Sequence, residues 1–142
     1  MAAWNVDPEE LRQAVEKCLY KDEKRLIVYV DFDGVINSYE TKFDGLNLPD
    51  DPLPGALAWL EALTENFDVS IYTTRMLDPG AEHAIIRWLN DHGMPMHAVD
   101  KLGFTALKRG AHVYIDDRAM CYQGGAHPTV QEITDFKPWT KR

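Results

Sequence analysis

The sequence predicts an α/β protein built on a Rossmann-like parallel sheet flanked by helices. Two observations carry this. LIVYVD, VSIYT and HVYID are short, unbroken apolar runs, the pattern of strands covered on both faces. Between them lie stretches whose apolar residues recur at helical spacing, bounded by Gly, Pro, Asn and Asp. The succession strand, helix, strand, helix, strand, strand implies parallel pairing through right-handed crossovers.

The elements follow in order. Asp7 can cap a first helix, Pro8 suits its first turn, and Glu9 and Glu10 favour its positive end. Leu11, Val15, Cys18 and Leu19 fall on one face, so residues 1–24 are expected to pack as a helix on the core. After KDEKR, LIVYVD forms the first strand. Residues 37–51 are irregular and rich in Asp, Asn, Gly and Pro. Pro54 then opens a helix with Leu57, Leu60, Leu63 and Phe67 inward. VSIYT is the second strand, and Asp78-Pro79 signals the start of a helix carrying Ile85, Ile86, Trp88 and Leu89. That helix exits at His92-Gly93. MHAV reads as the third strand and HVYID as a later one, and PTVQEITDF forms a last helix that stops before Pro138. Trp59 and Trp88 belong to the core, while Trp4 and Trp139 anchor the ends. No repeat or linker divides residues 25–142.

Length and charge narrow the class. The chain has 142 residues, enough for one core. Its net charge of −8 disfavours broad attraction to nucleic acid or anionic membrane, though not a local basic patch. Cys18 and Cys121 form no C-x-x-C pair, which argues against a zinc knuckle or disulfide framework. The start MAAWNVDPEELRQ lacks the basic and apolar regions of a signal peptide, and no apolar run reaches membrane-spanning length. A cytoplasmic location is expected.

Polar residues gather where the strands end: Asp31 and Asp33, Thr73 and Thr74, Lys101, and Asp116 with Asp117. One acidic pair at a strand end is ordinary turn chemistry. Several on neighbouring parallel strands converge on one edge, where open α/β sheets place their sites. Two unit charges about 4 Å apart repel by about 4 kcal/mol at an effective dielectric near 20. Such a cluster calls for a cation, and hard oxygen ligands favour Mg²⁺, often shared with a phosphate.

In order and spacing, DFDGV, IYTTR, Lys101 and YIDDR resemble the motifs of the haloacid dehalogenase superfamily, in its phosphatase branch. The resemblance implies a hydrolase domain over residues 25–142. It also implies that Asp31 is the nucleophile, forming an aspartyl-phosphate, and that Asp33 protonates the leaving oxygen and then activates water. Thr73, with Thr74 as the less favoured neighbour, would hydrogen-bond the phosphoryl group, and Lys101 would neutralise its charge. Mg²⁺ would be held by the Asp31 carboxylate, the Asp33 backbone carbonyl and Asp116, with Asp117 binding through water or orienting the others. Lys108 competes with Lys101 for the lysine role.

Other readings fit less well. A calcium loop starting at Asp31 needs a closing Glu where Lys42 stands. A receiver-type phosphoacceptor places its acidic pair early, whereas here it comes last. The five histidines show no ligand spacing. Arg75 and Arg118 adjoin the motifs and are candidate substrate contacts, with surface ion pairing as the plainer role.

The short segments after the first and second motifs leave no room for a cap domain. An uncapped site suits bulky substrates, so a nucleotide or polynucleotide phosphate is the favoured ester. Tyr39 or Phe43, in the 37–51 segment, would stack on a base from a partial lid, or that segment packs on the sheet instead. The alternative function is a catalytically silent phosphate- or metal-binding regulatory module. Neither substrate nor oligomeric state is legible.

Overall fold

A computed structural model describes residues 7–19 and 25–142, with side chains of the first helix described only as far as residue 13. Trp4 and most of KDEKR lie outside the described residues, as do the side chains of Val15, Cys18 and Leu19. The first helix, α1 (Pro8–Leu19), begins as expected: the Asp7 carboxylate accepts from the Glu9 backbone N–H at 2.9 Å. Leu11 is exposed.

Four parallel strands form one sheet in the order β3-β2-β1-β4: β1 (Ile27–Asp31), β2 (Asp68–Tyr72), β3 (Gly103–Thr105) and β4 (Val113–Ile115). The protein is therefore α/β, with helices α2 (Ala56–Asn66), α3 (Ala81–Asp91), α4 (Met96–Val99) and α5 (Val130–Asp135) around the sheet. β1 is the point at which the order reverses. Its partner β2 continues the chain in one direction, and β4 closes the other side. A crevice at the carboxyl ends of β1 and β4 follows from that reversal.

Alternation along the strands builds the core. Val28 and Val30 of β1 pair with Val69 and Ile71 of β2, all buried on one face with Leu60 of α2 and with Ile85, Trp88 and Leu89 of α3. Phe32, fully buried just past β1, meets Trp88 edge-on at 5.1 Å. Tyr29, on the opposite face, stacks on Tyr72 and tilts against Tyr114. Among the described residues, no helix is long and apolar enough to cross a membrane.

Three local expectations need correction. MHAV is not a strand but the helical turn α4, with Pro95 at its N-cap and its carbonyl accepting from Ala98 and Val99. Its buried residues, Ala98 and Val99, are adjacent rather than alternating, which is a helical pattern. The third strand is the short GFT that follows. α2 starts at Ala56 behind a left-handed Gly55 rather than at Pro54, and α3 is capped by Gly80, with Asp78 and Pro79 in the preceding turn. The last helix meets its expectation with a full capping box between Thr129 and Glu132.

Leu60 is wholly buried between α2 and the sheet. Leu60→Ala is expected to lower unfolding free energy by about 2–5 kcal/mol, read as a shifted denaturant midpoint with an unchanged slope. A shift within error would mean that this face is not the core.

Candidate active site

β1 ends on Asp31, and the chain turns at once: the Phe32 carbonyl accepts from the N–H groups of Ile36 and Asn37 at 2.9 Å. Gly34, at φ +80°, makes the turn possible, and a side chain there would run into the Asp117 carboxylate. β4 ends one residue before Asp116 and Asp117. β2 ends one residue before Thr73, whose backbone N–H is anchored on the Thr105 carbonyl at 3.0 Å. Three strand ends thus bring Asp31, Asp33, Thr73, Thr74, Asp116 and Asp117 around one cavity of about 330 Å³, with Tyr39, Tyr72 and Arg118 completing its wall.

The acids fall into two environments. Asp31, Asp116 and Asp117 place carboxylate oxygens within 4.8 Å of one another, a grouping able to hold a metal ion. Burial, a hydrogen bond with Asp117, and the charges of Asp116 and Asp117 push the Asp31 carboxyl up to about 8. Asp117 Oδ1 is buried and has no hydrogen-bond partner among the described residues. Each feature is what a cation would relieve, and the donor set is all hard oxygen. The residues fit a divalent cation.

Asp33 lines the same cavity but is held by donors rather than by acids. Its Oδ2 accepts from Arg75 Nε at 2.7 Å, and its Oδ1 accepts from Arg75 Nη2 at 3.0 Å and from Asn37 Nδ2 at 2.8 Å. Arg75 is buried, gives its Nη1 to the Gly45 carbonyl at 3.1 Å, and lies over the Phe43 ring at 4.8 Å. Thr73 Oγ1 accepts from the Arg75 backbone N–H at 3.3 Å, which leaves its own hydroxyl proton free to donate.

The remaining sequence-derived candidates divide clearly. Tyr39 and Arg118 line the cavity. Arg75 and Phe43 do not, because the guanidinium is spent on Asp33 and Phe43 covers it. Lys101 is not brought to the acids. It lines a cleft with Arg25, Thr64, Phe67 and Asp68 at the amino ends of the strands, the opposite edge of the sheet. The cause is the exchange of strand for helix at MHAV: Lys101 precedes β3 instead of following a strand. Lys108 lies beyond β3, at the carboxyl edge, in a cavity that shares Tyr72, Asp116 and Arg118 with the acidic one. Its ammonium rests 4.6 Å from the Tyr114 ring centroid.

The 37–51 segment is packed. Ser38 and Asp51 are hydrogen-bonded through their backbones, Trp88 Nε1 donates to the Asp50 carbonyl at 2.9 Å, and the Asp50 carboxylate clasps Thr41 through both the backbone N–H and the hydroxyl. Those Thr41 bonds hold the Asp50 carboxyl below its usual range. Sequence reasoning missed Asn37, whose amide bonds Asp33, and gave Trp139 only an anchoring role. Its indole donates to the Gly34 carbonyl at 2.7 Å, tying the C-terminal segment to the site turn. Spacing from Asp33 could have pointed to Asn37; nothing local pointed to Gly34 as the partner of Trp139.

Comparison of the chain with family models, curated proteins and solved structures returns no match.

Two expectations follow from this electrostatic arrangement. The Asp31 carboxyl, at its ordinary value of 3.8 when unfolded, keeps its proton to about 8 when folded. Between those values the folded state binds more protons, so this group costs stability as pH rises. Without divalent cation, Asp31→Asn should therefore melt above the wild type near pH 8, with an advantage that shrinks toward pH 4; an advantage independent of pH would contradict the origin given. A saturable rise in Tm on adding Mg²⁺ is expected in the wild type and should be lost in Gly34→Ala, whose new methyl displaces Asp117.

Proposed function

We propose that this chain is a Mg²⁺-dependent phosphomonoesterase of haloacid dehalogenase type, without a cap domain, working through Asp31. The observation that carries the reading is the two-environment acid arrangement. Asp31 stands among carboxylates that call for a cation, and Asp33, two residues on, is held separately by donors. A site for phosphoryl transfer needs both a charge-compensated nucleophile and a group free to move a proton.

The bound cation, held by the side chains of Asp31, Asp116 and Asp117 and by the Asp33 backbone carbonyl, would offset the repulsion between phosphate and carboxylate. The chain's own groups supply the rest. The Asp31 carboxylate attacks phosphorus as the bond to the ester oxygen breaks, and Asp33, entering the cycle with a proton on Oδ2, gives that proton to the ester oxygen and is left as the carboxylate. Water then attacks the aspartyl-phosphate while Asp33 takes the water's proton. The phosphorus–Asp31 bond breaks, inorganic phosphate leaves, and both carboxyls return to their starting states. The Thr73 hydroxyl donates to a phosphoryl oxygen throughout. Lys108, at the same edge of the sheet, is the better candidate for the neutralising lysine than Lys101, which is at the other.

Tyr39, Tyr72 and Arg118 around the cavity favour a planar, anionic leaving group, and so a nucleotide or polynucleotide phosphate.

Hydrolysis of p-nitrophenyl phosphate with and without Mg²⁺ tests the reading. Activity is expected to need the metal and to fall by about 10³-fold or more in Asp31→Asn. Lys108→Met should lose about 10²-fold or more, and Lys101→Met almost nothing. Full turnover by Asp31→Asn would sink the mechanism. No turnover of any phosphoester by the wild type would favour the silent binding module.

A further inference from the structure

Asp33 is held at both carboxylate oxygens by three side-chain hydrogen bonds. A carboxylate oxygen offers two in-plane lone pairs to donors. Both on Oδ1 are taken, by Arg75 Nη2 at 3.0 Å and Asn37 Nδ2 at 2.8 Å. Among the described residues, Oδ2 receives only Arg75 Nε, at 2.7 Å, which leaves one lone pair without a donor, on Oδ2. Arg75 in turn is fixed from the far side, with Nη1 on the Gly45 carbonyl and the Phe43 ring 4.8 Å from the guanidinium carbon. The fork is thus immobilised by backbone and ring in the 37–51 segment, while its other edge grips a residue that lines the acidic cavity.

Building on the phosphomonoesterase reading, we infer that Arg75 is the positioning residue of Asp33, holding the carboxylate so that Oδ2 alone carries and accepts the reacting proton. Arg75 touches neither metal nor substrate in this role. It acts through Asp33, and the 37–51 segment serves as the brace that keeps it in place. A lysine in its place is a point donor and cannot hold both oxygens, so Arg75→Lys keeps the charge and loses the orientation.

The test exploits leaving-group chemistry. Expulsion of p-nitrophenolate needs little help from an acid, whereas expulsion of a sugar hydroxyl from a nucleoside monophosphate needs a proton. kcat/KM reports steps up to loss of the leaving group. With Mg²⁺ present, Arg75→Lys is expected to lose about 10²-fold or more in kcat/KM on the nucleoside monophosphate and less than about tenfold on p-nitrophenyl phosphate. Arg75→Lys added to Asp33→Asn should cost nothing further on the nucleoside monophosphate. Equal losses on both substrates, or a further loss in the double variant, would overturn the assignment of Arg75. Phe43→Ala, a surface change that removes the ring from the brace and leaves the Gly45 bond, should give the same substrate dependence at smaller size, and it decides the matter if Arg75→Lys does not fold. A wild type inactive on both esters defeats the phosphomonoesterase reading and this inference with it. A wild type active on both, with indiscriminate losses, defeats this inference only.

Discussion

Asp31, Asp116 and Asp117 hold carboxylate oxygens within 4.8 Å of one another, and like charges at that distance repel. The cost is visible in Asp31, whose proton is retained to about pH 8 chiefly because of burial and the neighbouring acids. Much of the local structure exists to enforce this crowding. Gly34 gives up its side chain so that Asp117 can approach, the β1 turn closes on the Phe32 carbonyl, and Trp139 reaches back to fix the Gly34 carbonyl. A bound cation changes the sign of the arrangement, converting a destabilising cluster into a binding site.

The sheet order makes such crowding available. β1 and β2 pair directly and are connected in the chain through α2, and β2 and β3 pair directly and are connected through α3 and α4. At the reversal β1 pairs with β4, and order reversals of this kind open a crevice at the carboxyl ends of the strands. Asp31 leaves β1 there and Asp116 leaves β4 there. Thr73 arrives from β2 on the other flank, already turned by the capping bond from Arg75. The position of the site is therefore a property of topology, while its chemistry is a property of the residues that terminate the strands.

This division explains what was legible in the sequence. Strand ends that follow long apolar runs can be located from pattern alone, and Asp31, Asp33, Thr73, Asp116 and Asp117 stand where IVYVD, DVSIY and VYI end. Lys101 was misplaced because MHAV and GFT are too short for periodicity to separate a helical turn from a strand. A four-residue error of element type moved the lysine to the opposite edge of the sheet. Arg75 was visible as a charge beside a motif, but its burial was not. Its partners come from Asp33 and Gly45, dozens of residues away, and such long-range pairing leaves no local trace.

The contrast between Asp31 and Asp33 also bears on why the 37–51 segment is a wall rather than a swinging lid. A segment that opens and closes must give up its contacts at low cost. This one is tied to α3 through Trp88 and Asp50, to itself through Thr41 and Asp50, and to the site through Gly45 and Arg75. Releasing it would take the Gly45 carbonyl from a buried guanidinium, which is costly. Tyr39 of this segment also lines the acidic cavity, beside Tyr72 and Arg118. The bonds that hold this segment and Arg75 also fix the Asp33 carboxylate, which among the described residues keeps one lone pair without a donor, on Oδ2.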